Sequence, residues 1–461
     1  MSGNNSLDSK KETAEHAAAM PITEGVIWKR LLLFFFPLLA GTFFQLLYNT
    51  VDAIIVGQFC GKAALSAVGG ATATLINVFV GFFIGITSGV TVVVSQFYGA
   101  GRKEEVRRSV HTAMGLALAG GVLLNLCVFI LARSMLVAMN TPADTLKDSL
   151  AYLCIYSFGM TGNMVYNMGA SILRAAGDSK RPFYFLVAGT LTNVFLDLFM
   201  VVTLKWGVAG ASLATILSQY ISAVLVVRCL CRSKESYHLD LRGIRIEKEY
   251  LLRIIRIGIP AAMQSLMYSF SNVLIQTAVN SFGTDTVAAW TVWGKIDCIF
   301  WMIINSLGIA TTAFVGQNYG AGKLTRVRKC ARQALFIALL LTVGMSTFFR
   351  LFRLPLMHVF TGDENVIELG RQMCDFMAPC FITYICIEIL SGTLRGMGDA
   401  VMPTIITVVG VCVLRAVWIF TALPKNRSMI TVMCSYPFSW IVASVWFFLY
   451  YESYVKKHRI L

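Results

Sequence analysis

The chain is short of charge. Only 14% of its 461 residues are Asp, Glu, Lys or Arg, against 57% in the hydrophobic set, whereas ordinary soluble domains carry about 25% charged residues. A water-soluble fold of this length could not cover that much apolar surface. Histidine is scarce as well. Its five copies fall in the tail (His16) or at span edges and in loops (His111, His238, His358, His458). They form no His/Glu cluster within an apolar run, so a membrane-embedded metalloenzyme is disfavoured and no catalytic residue is assigned. The twelve cysteines lie mostly inside apolar runs without CxxC spacing. They read as small buried residues, not as a disulfide framework or metal ligands. The first 27 residues are polar and lack the short apolar core and cleavage site of a signal peptide. They read as a cytoplasmic tail, with the first span kept as an anchor.

Long apolar runs are what the chain has instead. Stretches of about 20 residues, each able to cross a hydrocarbon core about 30 Å thick, recur along its length. Gly, Pro and charge clusters divide them into twelve spans: 29–58, 64–96, 107–132, 146–173, 182–204 and 207–231, then 251–281, 287–316, 327–352, 364–394, 403–423 and 429–453. The expected fold class is an all-α polytopic membrane protein. The net charge of +15 belongs to loops, not to a nucleic-acid site. With the N-terminus inside, 28 of the 39 basic residues fall on the inner side, as the positive-inside bias requires. Both termini are therefore expected in the cytoplasm, with the chain multi-pass in the cell membrane and lipid as its surroundings.

The second half repeats the first. "SQFYGAGRKEEVRRSV" (Ser95 to Val110) aligns with "GQNYGAGKLTRVRKCA" (Gly316 to Ala331), and the same offset carries "SILRAAGDSKRP" (Ser171 to Pro182) onto "GTLRGMGDAVMP" (Gly392 to Pro403). Six spans separate the copies, so the halves share one orientation and a symmetry axis along the membrane normal. The expected organisation is a tail (1–28), an N-lobe (29–231), a basic linker (232–250), a C-lobe (251–453) and a C-terminal tail (454–461). The YGAG motifs read as left-handed glycine stops followed by basic anchors, with gating as the other reading. In "LRAAGD", Arg174 is expected to snorkel to the interface.

Ionisable residues inside spans cost about 2.5–3.5 kcal/mol each at a helix centre, so each is a functional candidate. The first half holds Asp52 and Asp197; the second holds Lys295, Asp297, Glu388 and Arg415. Two acids and two bases can pair off in the second half. The first half has acids only, and an unpaired carboxylate in low dielectric binds a cation or a proton. At 1.5 Å per residue, Asp52, Asp197 and Thr215 lie about 12–13 Å below the outer ends of their helices, and Asn193 shares a face with Asp197. The layer suits a hard cation, Na+ included, or a proton. Offset by the repeat, Asp52, Asp197 and Asn193 map onto Ile275, Trp418 and Leu414, so the layer belongs to one half. Solvation of Asp52 by the outer headgroups is the competing reading for that residue. Asn167 and Glu388 occupy equivalent repeat positions and are candidates for a substrate cavity, Glu388 alternatively as a partner for Arg415. Lys295, Asp297 and Arg415 are left without an assigned role.

The segments "FPLLAGTFFQLLYNTVDAIIVG", "SQFYGAG", "LRAAGD", "TNVFLD", "GQNYGAG" and "LRGMGD", in this order, resemble the multidrug and toxic compound extrusion (MATE) transporters of the bacterial branch over nearly the whole chain. The resemblance implies two six-helix lobes in a V and a monomeric, cofactor-free antiporter. It would export cationic amphipathic drugs or dyes in exchange for H+ or Na+. The family's N-lobe cation network matches Asp52, Asn193, Asp197 and Thr215. One departure is that "AAMQSLMYSFSN" after Pro260 lacks the glutamate that some members carry there. A flippase for lipid-linked saccharides is the alternative of similar architecture; it calls for several basic residues in the groove.

Overall fold

The computed structural model describes residues 22–139, 141 and 143–458. Within it the chain forms twelve long helices: α1 (Ile27–Gly61), α2 (Ser66–Gly99), α3 (Lys103–Ala138), α4 (Ala143–Ala175), α5 (Lys180–Thr203), α6 (Gly207–Arg232), α7 (Lys248–Asn280), α8 (Thr284–Gly320), α9 (Leu324–Leu351), α10 (Glu364–Gly396), α11 (Val401–Ala422) and α12 (Met429–Lys457). Their ends lie close to the spans read from the sequence. Ten are long and apolar enough to cross a membrane. The other two, α4 and α7, carry more polar side chains, among them Asn163, Asn167, Gln264 and Ser265, and these face the protein interior. Two helices contain a π-helical turn, Leu198–Thr203 in α5 and Val408–Val413 in α11.

The described part of the tail is folded back on the second lobe. Lys323 Nζ donates to the Thr23 carbonyl at 3.0 Å and Arg326 donates to the Gly25 and Glu24 carbonyls at 2.8 and 2.9 Å, while Ile22 is buried. Residues 1–21 of the tail and 459–461 at the other terminus lie outside the described residues. The linker is also tied down. The Asp240 amide donates to His111 Nε2 at 3.1 Å, the Glu247 amide donates to Thr112 Oγ1 at 3.3 Å, and Tyr237 and Leu239 are buried. Between α4 and α5, the Asp178 carboxylate accepts the Lys180 and Arg181 amides at 3.0 and 3.1 Å. Burial still pushes this carboxyl above its ordinary range.

The lobes are joined through the repeated motifs. Gly101 and Gly322 both stand at φ +69, where a Cβ is disfavoured. They let the chain turn so that the Arg102 and Lys323 amides reach back to the Phe97 and Asn318 carbonyls at 3.0 and 2.9 Å. Just inside these turns α2 and α8 cross in backbone contact: a Cβ on Gly99 would overlap the Gln317 carbonyl, and one on Gly320 would overlap the Gln96 carbonyl. The contact is reciprocal, as an axis along the membrane normal requires. The two glutamine side chains repeat the symmetry. Gln96 Nε2 donates to the Gly396 carbonyl at the end of α10 (2.9 Å), and Gln317 Nε2 donates to the Ala175 carbonyl at the end of α4 (2.6 Å). Each glutamine thus satisfies a helix-end carbonyl of the opposite lobe, which has no partner within its own helix. Close packing continues through Gly89 against α7 at Ile254 and Gly85 against Ala262. One turn farther on, Gly81 faces open space. The lobes are fastened at the end that carries both termini and part toward the other.

Replacing Gln96 and Gln317 together by alanine removes two such bonds, each worth about 1 kcal/mol. Amide hydrogen exchange over 95–101 and 316–322 should then rise several-fold, and unchanged exchange would place the closure elsewhere.

Candidate functional site

Four helices build a polar cluster inside the first lobe. Asn193 and Asp197, one turn apart on α5, are both fully buried, and Thr215 on α6 is nearly so. Asp52 on α1 is 8% exposed, which removes the reading that it reaches the outer headgroups. Its carboxyl meets that of Asp197, with Asn193 beside it. Tyr48, one turn before Asp52, brings its hydroxyl to Thr215, and Tyr152 and Tyr156 of α4 close the cluster. The tyrosines were not singled out from the sequence, because aromatic residues are common packing residues in any membrane helix. Only Tyr48 carries a signal in the sequence, its position four residues before Asp52 on the same helix face.

The two carboxyls lie among neutral hydroxyl and amide groups. Asp52 Oδ1, both carboxyl oxygens of Asp197 and both amide atoms of Asn193 have no well-formed hydrogen bond among the described residues. No basic side chain is paired with either aspartate there, since none of the described ion pairs includes them. Buried polar groups are almost always satisfied, and buried carboxylates are paired, protonated or bound to a cation. The donor set fits a proton or a small hard cation. The π-turn begins directly after Asp197; such turns widen a helix locally and recur at functional positions.

A cavity of about 620 Å³ lies between the lobes, with walls mainly from α7, α8 and α10 and with α2 and α4 on the opposite side. This volume suits a drug-sized ligand. Trp290, Trp293, Trp301 and Trp440 line it, as do Asp297 and Glu388. Glu388 therefore faces the cavity, and its ion-pair partner is Arg395 at 3.9 Å, not Arg415. The two acids and two bases of the second half do not pair off. Asp297 accepts from Trp301 Nε1 at 3.2 Å, Arg415 stacks over Tyr436, and Lys295, two residues from Asp297 and so on another face, is exposed and does not line the cavity. Arg174 also lines the cavity, bonded to Ser171 at 2.9 Å, in place of snorkelling to the interface. Its helix ends in a motif packed against the other lobe, so the inward direction is the one open to it.

Asn167 does not line the large cavity. It donates to Asn163 Oδ1 at 2.8 Å, and both asparagines line two smaller pockets. One, of about 60 Å³, also touches Tyr48 and Gln219; the other reaches Ile84 and Thr87, which are walls of the large cavity. The asparagines thus stand between the acid cluster and the cavity.

The MatE family model matches the chain twice, over 37–199 and 260–421, once per lobe. "Probable multidrug resistance protein YoeA" of Bacillus subtilis is 25% identical, covering 94% of this chain and 95% of its own length. "Multidrug and toxin extrusion protein 1" of Homo sapiens is 23% identical over 79% of this chain and 64% of its own length. Among solved structures, one titled "Outward-facing conformation of a multidrug resistance MATE family transporter of the MOP superfamily" superimposes with a TM-score of 0.89 at 21% identity, covering 96% of this chain and 99% of that one. "Crystal structure of MATE in the straight conformation" gives 0.89 at 22% identity over 95% and 98%.

Removing the carboxylate of Glu388 (Glu388→Gln) leaves Arg395 without its charged partner and should cost roughly 1–3 kcal/mol. The thermal transition of the purified protein should fall accordingly, whereas Lys295→Met should leave it unchanged. Equal effects would contradict the burial difference between the two.

With a MatE match covering most of its length, two six-helix lobes and a drug-sized cavity between them, the chain belongs to the MATE family of multidrug efflux transporters and is a transporter, not an enzyme.

Proposed function

We propose that this transporter is an antiporter that exports amphipathic compounds bearing a cationic group, in exchange for H+ entering through Asp52, Asn193, Asp197 and Thr215. The observation that carries the reading is an acid cluster with no basic partner among the described ion pairs: two meeting carboxyls, buried in one lobe only, with Ile275, Leu414 and Trp418 at the positions equivalent to Asp52, Asn193 and Asp197. An arrangement needed merely to hold six helices together would recur in both lobes. Na+ at the same oxygens is the second reading, because carboxylate, amide and hydroxyl oxygens are also the donors such an ion prefers.

Ion entry neutralises the cluster. Two carboxyls that repel each other when charged then let α1, α5 and α6 pack more closely. The Asn163–Asn167 pair, with the acid-cluster pocket on one side and a pocket reaching the main cavity on the other, passes that movement on. Cargo and ion compete because each favours a different arrangement of the same helices. Asn167 acts in this scheme as a coupling residue, and Glu388 and Asp297 supply negative charge to the cavity. The boundaries 29–231 and 251–453 are taken as the two lobes. The fastened end is taken to face the cytoplasm with both termini, in the cell membrane, with the protein working as a monomer without a cofactor.

The test is dye export from proteoliposomes under an imposed pH gradient or an imposed Na+ gradient, applied separately. Asp52→Asn and Asp197→Asn should each lower gradient-driven export at least about tenfold, within the usual range of coupling free energies, while equilibrium dye binding stays within a few-fold. Undiminished export by both variants would sink the mechanism. Export driven by Na+ alone would move the coupling to the second reading.

A further inference from the structure

The linker between the lobes docks where α3 enters the membrane. That helix is charged over 103–108, and from Leu118 to Ile130 its exposed residues are apolar. The linker covers the interval between. The Asp240 amide bonds the His111 ring, the Glu247 amide bonds Thr112, Gly243 lies against the same imidazole and Ile246 packs on Gly115. A segment held at that level on a spanning helix lies among lipid headgroups.

Its outward side is half apolar and half basic. Leu241, Ile246 and Leu252 are 59%, 44% and 55% exposed, and Arg242, Lys248 and Arg256 are exposed among them. Lys248, Leu252 and Arg256 follow at intervals of four, which puts them on one face of α7. The acids close by in sequence are already engaged. Glu247 holds Arg108 and Arg245, Glu249 holds Arg253, and Asp240 accepts the Arg242 amide. None of the described ion pairs includes Arg242, Lys248 or Arg256. Counted back from Pro37, the matching proline of α1, the positions of Lys248 and Arg256 hold Gly25 and Leu33. The bases are therefore not a requirement for starting a lobe.

We infer that the linker and the first turns of α7 form a binding site for an anionic phospholipid of the leaflet on the side of both termini. The headgroup phosphate is taken by Arg242, Lys248 and Arg256, and the upper acyl chains lie against Leu241, Ile246 and Leu252. Free bases beside exposed apolar side chains match both parts of such a lipid. A soluble anion would leave the apolar residues bare, and a zwitterionic headgroup brings an ammonium that three unpaired bases repel. Because the linker joins the lobes and rests on α3, a lipid bound there holds it in place.

The purified full chain in detergent is titrated with phosphatidylglycerol, phosphatidylethanolamine or inorganic phosphate. Lipid retention is read by native mass spectrometry and backbone protection by hydrogen exchange. Phosphatidylglycerol should bind about tenfold or more tighter than phosphatidylethanolamine, the scale of a few Lys or Arg contacts to an anionic lipid, and should slow exchange over 240–252 where phosphate alone does not. Arg242→Gln, Lys248→Gln and Arg256→Gln combined should bring the two lipids within about twofold. Lys456→Gln with Lys457→Gln, which removes exposed bases elsewhere at the same end, should leave the preference intact. Leu241→Ser with Leu252→Ser should weaken both lipids. Should the triple variant not fold, Arg242→Gln alone, in an exposed turn, should lower the preference about threefold. Equal binding of the two lipids overturns the inference, as does protection by phosphate alone, an unchanged preference in the Arg242 variants, or an equal loss in the Lys456 and Lys457 variant.

Discussion

A charge inside a bilayer must be shielded by protein, and its cost there is set by what the surrounding residues offer it. That constraint organises the whole molecule. Twelve helices satisfy their own backbone groups, so the polar side chains are free to gather where protein encloses them. They gather in two places, the acid cluster among α1, α4, α5 and α6, and the cavity between the lobes. In the first, two carboxyls meet among neutral hydroxyls and an amide, with no basic partner among the described ion pairs. In the second, arginines and carboxylates alternate with tryptophans. Outside these, Lys295 shows the other solution, an exposed side chain turned away from both.

The lobes depend on a different interaction, the backbone contact of α2 with α8. Without Cβ atoms at Gly99 and Gly320 the helices approach until each glycine meets the other helix's glutamine carbonyl, and the glutamine side chains then reach the ends of α4 and α10. A contact made twice by symmetry is narrow and directional. It closes the end of the lobes that carries both termini, and the cavity lies farther along the same helices. This is also why YGAG and LRxxGD occur twice in the sequence. Each copy turns the chain, and each is half of a joint with the opposite copy.

Much of this was legible beforehand. The spans came from apolar length, and the two lobes from the repeat. Asp52, Asn193, Asp197 and Thr215 stand out because a carboxylate in a greasy run is conspicuous and helix rise places two of them in one layer with an amide and a hydroxyl. Less legible were Tyr48, Tyr152 and Tyr156, which look like any packing aromatics. Arg174 reads from the sequence as an interfacial anchor, because residue number gives its distance from the helix end and not its direction about the helix axis. Glu388 pairs with Arg395 of its own helix and not with Arg415.

Hydrophobic content, helix length, the duplicated plan and the depth of each charge are one-dimensional quantities, and the sequence alone determined them, because helix rise converts residue number directly into position along the membrane normal. Rotation about each helix axis and the pairing of one lobe with the other are not carried by any single segment. Only the packed tertiary structure decided that Asp52 faces Asp197, that Gln96 and Gln317 cross between lobes, and that Arg415 is left buried over Tyr436 without an acid. Those outcomes depend on how neighbouring helices turn to bury their own side chains, a choice made jointly by residues far apart in the chain.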